Sequence, residues 1–333
     1  MPEPTDAKQP DTPTSERWVD LARRAWHAFA SWLWTNVAVG TFGIWFLGLL
    51  FRDSNRLTAL FLLVPSLFVA VALVVAAPLA RLSGCRRHAI ALALLSIGPI
   101  LSVAFFENRW LRPSTPEPGP HDLRLVHWNV GEAREAWPQV IARLKAEEAD
   151  LYVLSEAYKK DKLLELVNAL GPDYQLFQVH QISAVARGSL WLVKRDERIS
   201  SRAYFVRWAS PQGSVLLLLV DLPSRPIYYH GGWLKKVREL MTKHKPDIVV
   251  GDFNCSRRSR FLARLPKGYS HAYWRAGSGW SATWPAAFPL WDLDQCIIGE
   301  RIVPIRYQLL PGEPSDHRLQ RLDFRLAGGD TRR

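Results

Sequence analysis

Three uncharged apolar runs near the start of the chain restrict its folding more than any other feature. Leu33 to Phe51, Leu57 to Ala80 and Ala89 to Phe106 contain no Asp, Glu, Lys or Arg. At 1.5 Å rise per residue, each run is roughly as long as a bilayer's ~30 Å hydrocarbon core is thick. Soluble proteins rarely bury helices of that length without one charge, so residues 33–106 are expected to form three transmembrane helices. Pro65 and Pro78 inside the second run are compatible with a span when neighbouring groups satisfy the freed carbonyls. Ahead of these runs, Trp18, Leu21, Ala22, Ala25, Trp26 and Phe29 recur at helical spacing with Arg23, Arg24 and His27 between them. That pattern predicts a basic amphipathic helix over 17–32, lying on the membrane surface or opening the first span. Residues 1–16 are rich in Pro, Asp, Thr and Ser and are expected to be a disordered tail, as are 328–333. A cleavable signal peptide is not expected, because a long polar stretch precedes the first apolar run.

Arginine placement sets the expected orientation. With a cytoplasmic N-terminus, Arg17, Arg23, Arg24, Arg81, Arg86 and Arg87 lie inside and Arg52, Arg56, Arg109 and Arg112 outside, roughly six to four under the positive-inside rule. Three spans then put the rest of the chain on the extracytoplasmic side. Residues 107–121 include the Pro-rich stretch Arg112-Pro-Ser-Thr-Pro-Glu-Pro-Gly-Pro-His121 and read as a linker. It leads to a soluble domain over 122–327, long enough for one substantial core.

The 333-residue chain has a formal net charge of +12. That charge suits an anionic partner such as nucleic acid, a phosphorylated small molecule or an acidic membrane surface, although arginines flanking the spans account for part of it. Cys85, Cys255 and Cys296 show no Cys/His ligand spacing, so zinc is not expected, and an odd count excludes a complete disulfide framework.

Within 122–327, strand patterns alternate with helical ones. Strands are expected at 123–130, 151–154, 174–179, 189–193, 203–208, 215–220, 293–298, 303–309 and 319–326, and helices at 136–148, 159–170 and 233–244. Asp247-Ile-Val-Val-Gly-Asp-Phe-Asn254 reads as a short buried strand that turns at Gly251. Two packed sheets flanked by helices are the expected α/β architecture.

The polar residues fall at the ends of these strands. Asn129 ends the first and Glu156 follows the second. Asp252 and Asn254 end the central strand, on the same side because side chains alternate along an extended backbone. Asp294 lies in a late strand, and Asp316 and His317 precede the last. Any one of them is equally at home as a turn or cap residue. Their recurrence at strand ends is what points to a site.

Trp128-Asn129-Val130, Leu154-Ser155-Glu156, Gly251-Asp252-Phe253-Asn254, Ser281-Ala-Thr-Trp-Pro285, Leu293-Asp294 and Ser315-Asp316-His317 occur in the order found in the exonuclease–endonuclease–phosphatase superfamily. The region from about Arg124 to Leu326 resembles that family. With Gly279-Trp280 ahead of Thr283-Trp284-Pro285, it looks most like a bacterial branch with N-terminal membrane spans. The resemblance implies a four-layer α/β sandwich of the DNase I type and a Mg²⁺-dependent hydrolase of phosphoester bonds, with Mn²⁺ as a substitute. It implies Glu156, Asn129 and Asp316 as metal-binding residues and Asp252 as the group that orients or deprotonates water. Asn254 would bond the phosphoryl oxygen, His317 would stabilise the phosphorane or act as acid, and Asp294 would fix the His317 tautomer. The implied partner is a phosphate-bearing substrate, either nucleic acid or a phospholipid or inositol phosphate headgroup, met at a membrane.

Two positions depart from the family pattern. Asp221 stands where many members carry a second catalytic His, and Gln295 follows Asp294 where a His is usual. These departures leave open a weak or inactive module that binds an anionic partner. His230, in Tyr-Tyr-His-Gly-Gly, is a candidate for the missing His, although a loop histidine is the plainer reading. Arg257 and Arg258 are candidates for substrate phosphate, beside the alternative of a solvated basic surface.

Overall fold

The computed structural model describes residues 15–112, 116–195, 202–224 and 229–327. Most of the expected N-terminal tail, the whole C-terminal tail and linker residues 113–115 lie outside these. The chain forms two compact units: Met1–Ile44 with Ser66–Ile100, and Trp45–Pro65 with Leu101–Arg333.

The first unit is helical, and the last residues of its first helix, from Trp45 on, belong to the second unit. Helix α1 (Ser15–Phe51) runs without a break, so the expected surface helix over 17–32 and the first apolar run are one 37-residue element. No Pro or Gly lies between them to interrupt it. Apolar side chains such as Trp26, Phe29, Trp32, Val71 and Ile97 stand exposed on the helices of this unit. Arg17–Phe51 and Arg86–Glu107 are each long and apolar enough to cross a membrane. The expected second span differs. Helix α2 (Arg56–Leu62) and helix α3 (Ser66–Leu82) are separate elements with a short break at Pro65. A proline ring removes an N–H and crowds the preceding turn, which favours such a break. Among the described residues there are therefore two candidate spans, or three if α2 and α3 count as one. Helix α4 (Arg86–Leu101) completes this unit's helices.

The second unit holds α2 and two six-stranded sheets. The first sheet orders β1 (Leu123–Asn129), β2 (Leu151–Ser155), β3 (Tyr174–Val179), β4 (Ile182–Arg187), β11 (Ile302–Leu310) and β12 (Leu319–Leu326) as β11-β12-β1-β2-β4-β3. The second orders β5 (Ser189–Arg195), β6 (Ala203–Ser210), β7 (Gly213–Asp221), β8 (Ile248–Asp252), β9 (Ser270–His271) and β10 (Asp294–Ile298) as β5-β6-β7-β8-β10-β9. Strand β4 was not expected from the sequence. It lies inside the first sheet, between β2 and β3, and its Ala184 and Ala186 carry little of the bulk that marks a strand.

Side-chain alternation builds the layers. Leu125, Val153, Val206, Leu217, Leu219, Ile248 and Val250 fill the core between the sheets. The opposite face of the first sheet, with Val126, Trp128, Tyr152 and Leu154, packs on α5 (Trp137–Ala146) and α6 (Lys160–Leu170). Phe205, Leu218, Val220, Val249 and Ile297 pack the outer face of the second sheet against α7 (Gly231–His244). The result is a four-layer α/β sandwich of the DNase I type. Each sheet contains one parallel pair joined by a helical crossover: β1 with β2 through α5, and β7 with β8 through α7. Both crossovers direct carboxyl ends of strands to the same edge of the sandwich. Antiparallel β10 and β12 begin there, since Asp294 pairs with Asp252 and Gln320 with His127.

Candidate active site

At that edge Asn129 links the two sheets. Its Nδ2 donates to Glu156 Oε1 at 3.2 Å and to Asp252 Oδ2 at 2.9 Å, while its Oδ1 accepts from the Gly131 N–H at 2.9 Å. Glu156 follows β2 in a left-handed conformation, φ +59°. A Cβ on Gly131 would lie 2.2 Å from Glu156 Oε2, so glycine leaves room for this carboxylate. Asp252 is 1% exposed, and its Oδ1 accepts from the Asn254 N–H at 2.8 Å. Asn254, at φ +47°, donates from Nδ2 to the Leu222 carbonyl at 2.9 Å, leaving its second amide hydrogen for a ligand. The turn thus falls at Asn254 and not at Gly251, which lies inside β8. Glycine is required at 251 because a Cβ would lie 1.8 Å from the Val220 carbonyl oxygen of the neighbouring strand.

The loop before β12 is tied down at both ends. Ser315 Oγ donates to the Asn129 carbonyl and accepts from the His317 N–H, and the Trp128 indole donates to the His317 carbonyl. His317 Nδ1 meets Asp294 Oδ2 at 2.8 Å. Thr283 Oγ1 accepts from the backbone N–H groups of Leu293 and Asp294, which fixes the start of β10. Behind this pair is His127, which sequence reasoning missed. Gln320 Nε2 donates to its Nδ1 at 2.8 Å, so the proton sits on Nε2, which faces Ser155 Oγ at 3.1 Å. The other Asp294 oxygen, Oδ1, is buried without a hydrogen-bond partner.

Burial and neighbouring charges divide these groups electrically. Burial opposes a charged His317, but Asp294 beside it, the hydrogen bond between them and the nearby Asp252 and Asp316 outweigh that and push it up to about 10. Burial pushes against an ionised Asp294, yet the His317 charge holds it below the usual carboxylate range. Asp252 is raised well above that range, by burial first and by the Asp294 charge second. Burial lowers His127 to about 4, so it is neutral. Asp221 is pushed up to about 7, chiefly by burial.

Asn129, Gly131, Glu156, His230, Asp252, Asn254, Asp316 and His317 line one cavity of about 560 Å³. Asp294 supports it from behind through His317. His230 reaches the cavity wall while its Nε2 bonds the Pro223 carbonyl at 2.8 Å. Two expected phosphate contacts do not reach it. Arg257 is buried, paired with Asp292 at 2.8 Å and stacked over Tyr273. Arg258 bonds Glu107 and the carbonyl of Leu62. The sequence also gave no role to Trp284, whose indole donates to Asp316 Oδ2 at 2.7 Å and orients it.

The donor set suits a hard divalent cation. Glu156, Asn129 and Asp316 offer oxygen ligands in the small number that Mg²⁺ prefers beside its waters. Glycine at 131 leaves room for the Glu156 carboxylate at the cavity wall, where Asn129 Nδ2 donates to it. Ligand atoms of Asp252, Asp294 and His317 also lie within 4.8 Å of one another. Within that cluster His317 Nδ1 and Asp294 Oδ2 are already bonded to each other at 2.8 Å.

Fold and site together define a phosphoester hydrolase of the DNase I type. Residues 126–317 match the endonuclease/exonuclease/phosphatase family, and the chain belongs to that family. No curated protein matches the chain. Among solved structures it is similar to an endonuclease/exonuclease/phosphatase family protein from Bacteroides thetaiotaomicron, at 15% identity over 63% of this chain and 98% of that one, TM-score 0.51. It is also similar to D. rerio TDP2 complexed with single strand DNA product, at 16% identity over 62% and 99%, TM-score 0.51. These likenesses show the fold. Family members are metal-dependent hydrolases of phosphoester bonds, and the chain is an enzyme of that class.

Proposed function

We propose that the chain is a membrane-anchored, Mg²⁺-dependent phosphoesterase that cleaves a phosphodiester or phosphomonoester of nucleic acid or of a lipid or inositol phosphate headgroup. The observation that carries this reading is the convergence of Asn129, Glu156, Asp252, Asn254, Asp316 and His317 on one cavity. Glu156, Asn129 and Asp316 would hold the cation, which when bound would neutralise charge on the phosphoryl oxygens. Asp252, aligned by Asn129 and Asn254, takes a proton from the attacking water. Asn254 donates its remaining amide hydrogen to a phosphoryl oxygen. With Nδ1 committed to Asp294, His317 presents Nε2 and gives its proton to the leaving oxygen. Asp294 holds the ring orientation and the positive charge.

Anchoring is supported by the exposed apolar side chains of α1, α3 and α4, which water would not favour. The arginine distribution supports an extracytoplasmic catalytic unit, and a silent C-terminal phosphatase reporter in a bacterial host would overturn that placement. A second reading, a weakly active binding module, is favoured by Asp221 at the position of the second catalytic His. Full-length protein with bis(p-nitrophenyl) phosphate decides between them. Turnover that needs Mg²⁺ or Mn²⁺ and is lost in Asp252→Ala and His317→Ala supports the enzyme; metal-independent inertness supports the module.

A further inference from the structure

The cavity has two kinds of wall. One is the phosphate-handling set above. The other is apolar and is built in part from the segment between α1 and α3: Ala59, Leu62 and Leu63 face it together with Trp284, Trp291 and Leu293. The segment is fixed to the catalytic unit. The Asp53 carboxylate accepts from Ser259 Oγ at 2.5 Å and from the Arg260 N–H at 2.7 Å, and Tyr229 Oη donates to its carbonyl at 2.9 Å. The end of α2 leaves carbonyls without helical partners. Arg258 Nη2 donates to the Leu62 carbonyl and the Trp291 indole to that of Leu63, each at 2.8 Å. A Cβ on Gly48 would lie 2.6 Å from the Phe61 carbonyl, so glycine lets the end of α1 that belongs to this unit pack backbone to backbone on α2.

We infer that the substrate is an amphiphile: a phosphate ester bearing an alkyl chain, with its phosphate between Asp252 and His317 and its chain along the wall of Ala59, Leu62, Leu63, Trp284, Trp291 and Leu293. The inference rests on the phosphoesterase reading and narrows its substrate. The volume falls within the range of small-ligand pockets, where apolar walls bind and a few polar groups orient. Among the described residues that line the cavity there is no Lys or Arg, which a groove for a polyanionic strand would need. Of the arginines nearby, Arg257 and Arg258 are held by Asp292, Glu107 and backbone carbonyls, and Arg202, in an adjoining hollow that shares Glu156, Ser224 and Asn254, lies 4.0 Å from Asp221. By connectivity, the part of the wall formed by Ala59, Leu62 and Leu63 belongs to the segment that joins α1 to α3, helices that expose apolar side chains. In the reaction, water adds to phosphorus and gives a proton to Asp252, the bond from phosphorus to the leaving oxygen breaks, and that oxygen takes the His317 proton.

Full-length protein in lipid nanodiscs, with Mg²⁺ and methyl, hexyl and decyl p-nitrophenyl phosphates below their micelle concentrations, tests this. For a monoesterase, the matching alkyl phosphates with phosphate release serve instead. The expected result is a kcat/KM that rises about three- to fourfold per methylene until the wall is covered. Ala59→Asp should flatten that rise, and Leu62→Ala, which introduces no charge, should reduce it. Turnover of the methyl ester with no gain from chain length, or a p-nitrophenyl ester of thymidine phosphate outrunning the decyl ester, overturns the inference and leaves the phosphoesterase reading standing. No turnover of any ester overturns that reading itself.

Discussion

At the scale of single residues, the site works by separating two acids that share one pocket. Asp294 stays ionised because His317 carries a proton against it, and Asp252 is raised because Asp294 is charged nearby. His317 as the acid is protonated below its folded value of about 10, so the acid form is lost as pH climbs through that value. Asp294→Asn removes the largest influence that raises it. The alkaline limb of the rate profile should then move down toward the ordinary 6.5, and kcat/KM should fall by about 10²–10⁴, as for loss of a positioned general acid. A merely structural Asp294 would lower the rate without moving the limb. Gly131→Ala tests the cation side. Its methyl would displace the Glu156 carboxylate, and the Mg²⁺ concentration for half-maximal rate should rise about 10- to 100-fold. An unchanged Mg²⁺ requirement would take Glu156 out of that role.

At the scale of elements, α2 is held as part of the catalytic unit. Asp53→Ala would leave the buried Ser259 hydroxyl and the Arg260 N–H without their acceptor, a loss of about 1–3 kcal/mol. Amide exchange over 56–62 should quicken by roughly tenfold or more, with that of β8 unchanged. The sequence could not assign this role to α2. Leu57 to Leu63 is as apolar and uncharged as a span, and the wall of an apolar cavity demands the same composition as lipid does. Pro65 was visible, but a proline inside a span and a proline that ends one read alike. The strands that end in Asn129 and Asp252, and the one that Asp316-His317 precede, were legible because bulky apolar runs meet polar residues abruptly there. Strand β4 lacked that contrast, since Ser183, Ala184 and Ala186 are small. His127 was hidden because its partners, Asp294, Ser155 and Gln320, are distant in sequence and no local pattern joins them. Arg257 and Arg258 misled because their spacing shows charge but not the acidic partners at 292 and 107.

At the scale of the whole molecule, buried titratable groups of opposite sign share one pH window. His271 is buried, donates from Nε2 to the Leu262 carbonyl and has no partner at Nδ1; burial lowers it to about 4. Its folded value is below the unfolded 6.5, so its contribution is present above 6.5 and is lost as pH falls toward 4. Asp221 is the reverse. Burial raises it to about 7 from 3.8, so its contribution is present below 3.8 and is lost as pH rises through 7. Between pH 5 and 7.5 each amounts to about 2 kcal/mol, in opposite directions. Each substitution should therefore tilt stability its own way. In EDTA, the difference between the melting temperatures of the full-length protein at pH 5 and pH 7.5 should become more positive in His271→Gln, where the acid loss is gone. It should become more negative in Asp221→Asn, which no longer holds a buried carboxylate ionised at pH 7.5. A shift of about 5 °C is expected for each in a catalytic unit of this size. Two variants that move the difference the same way would refute the opposed titration, and an unmoved Asp221→Asn would mean that Arg202, at 4.0 Å, keeps this carboxylate ionised throughout.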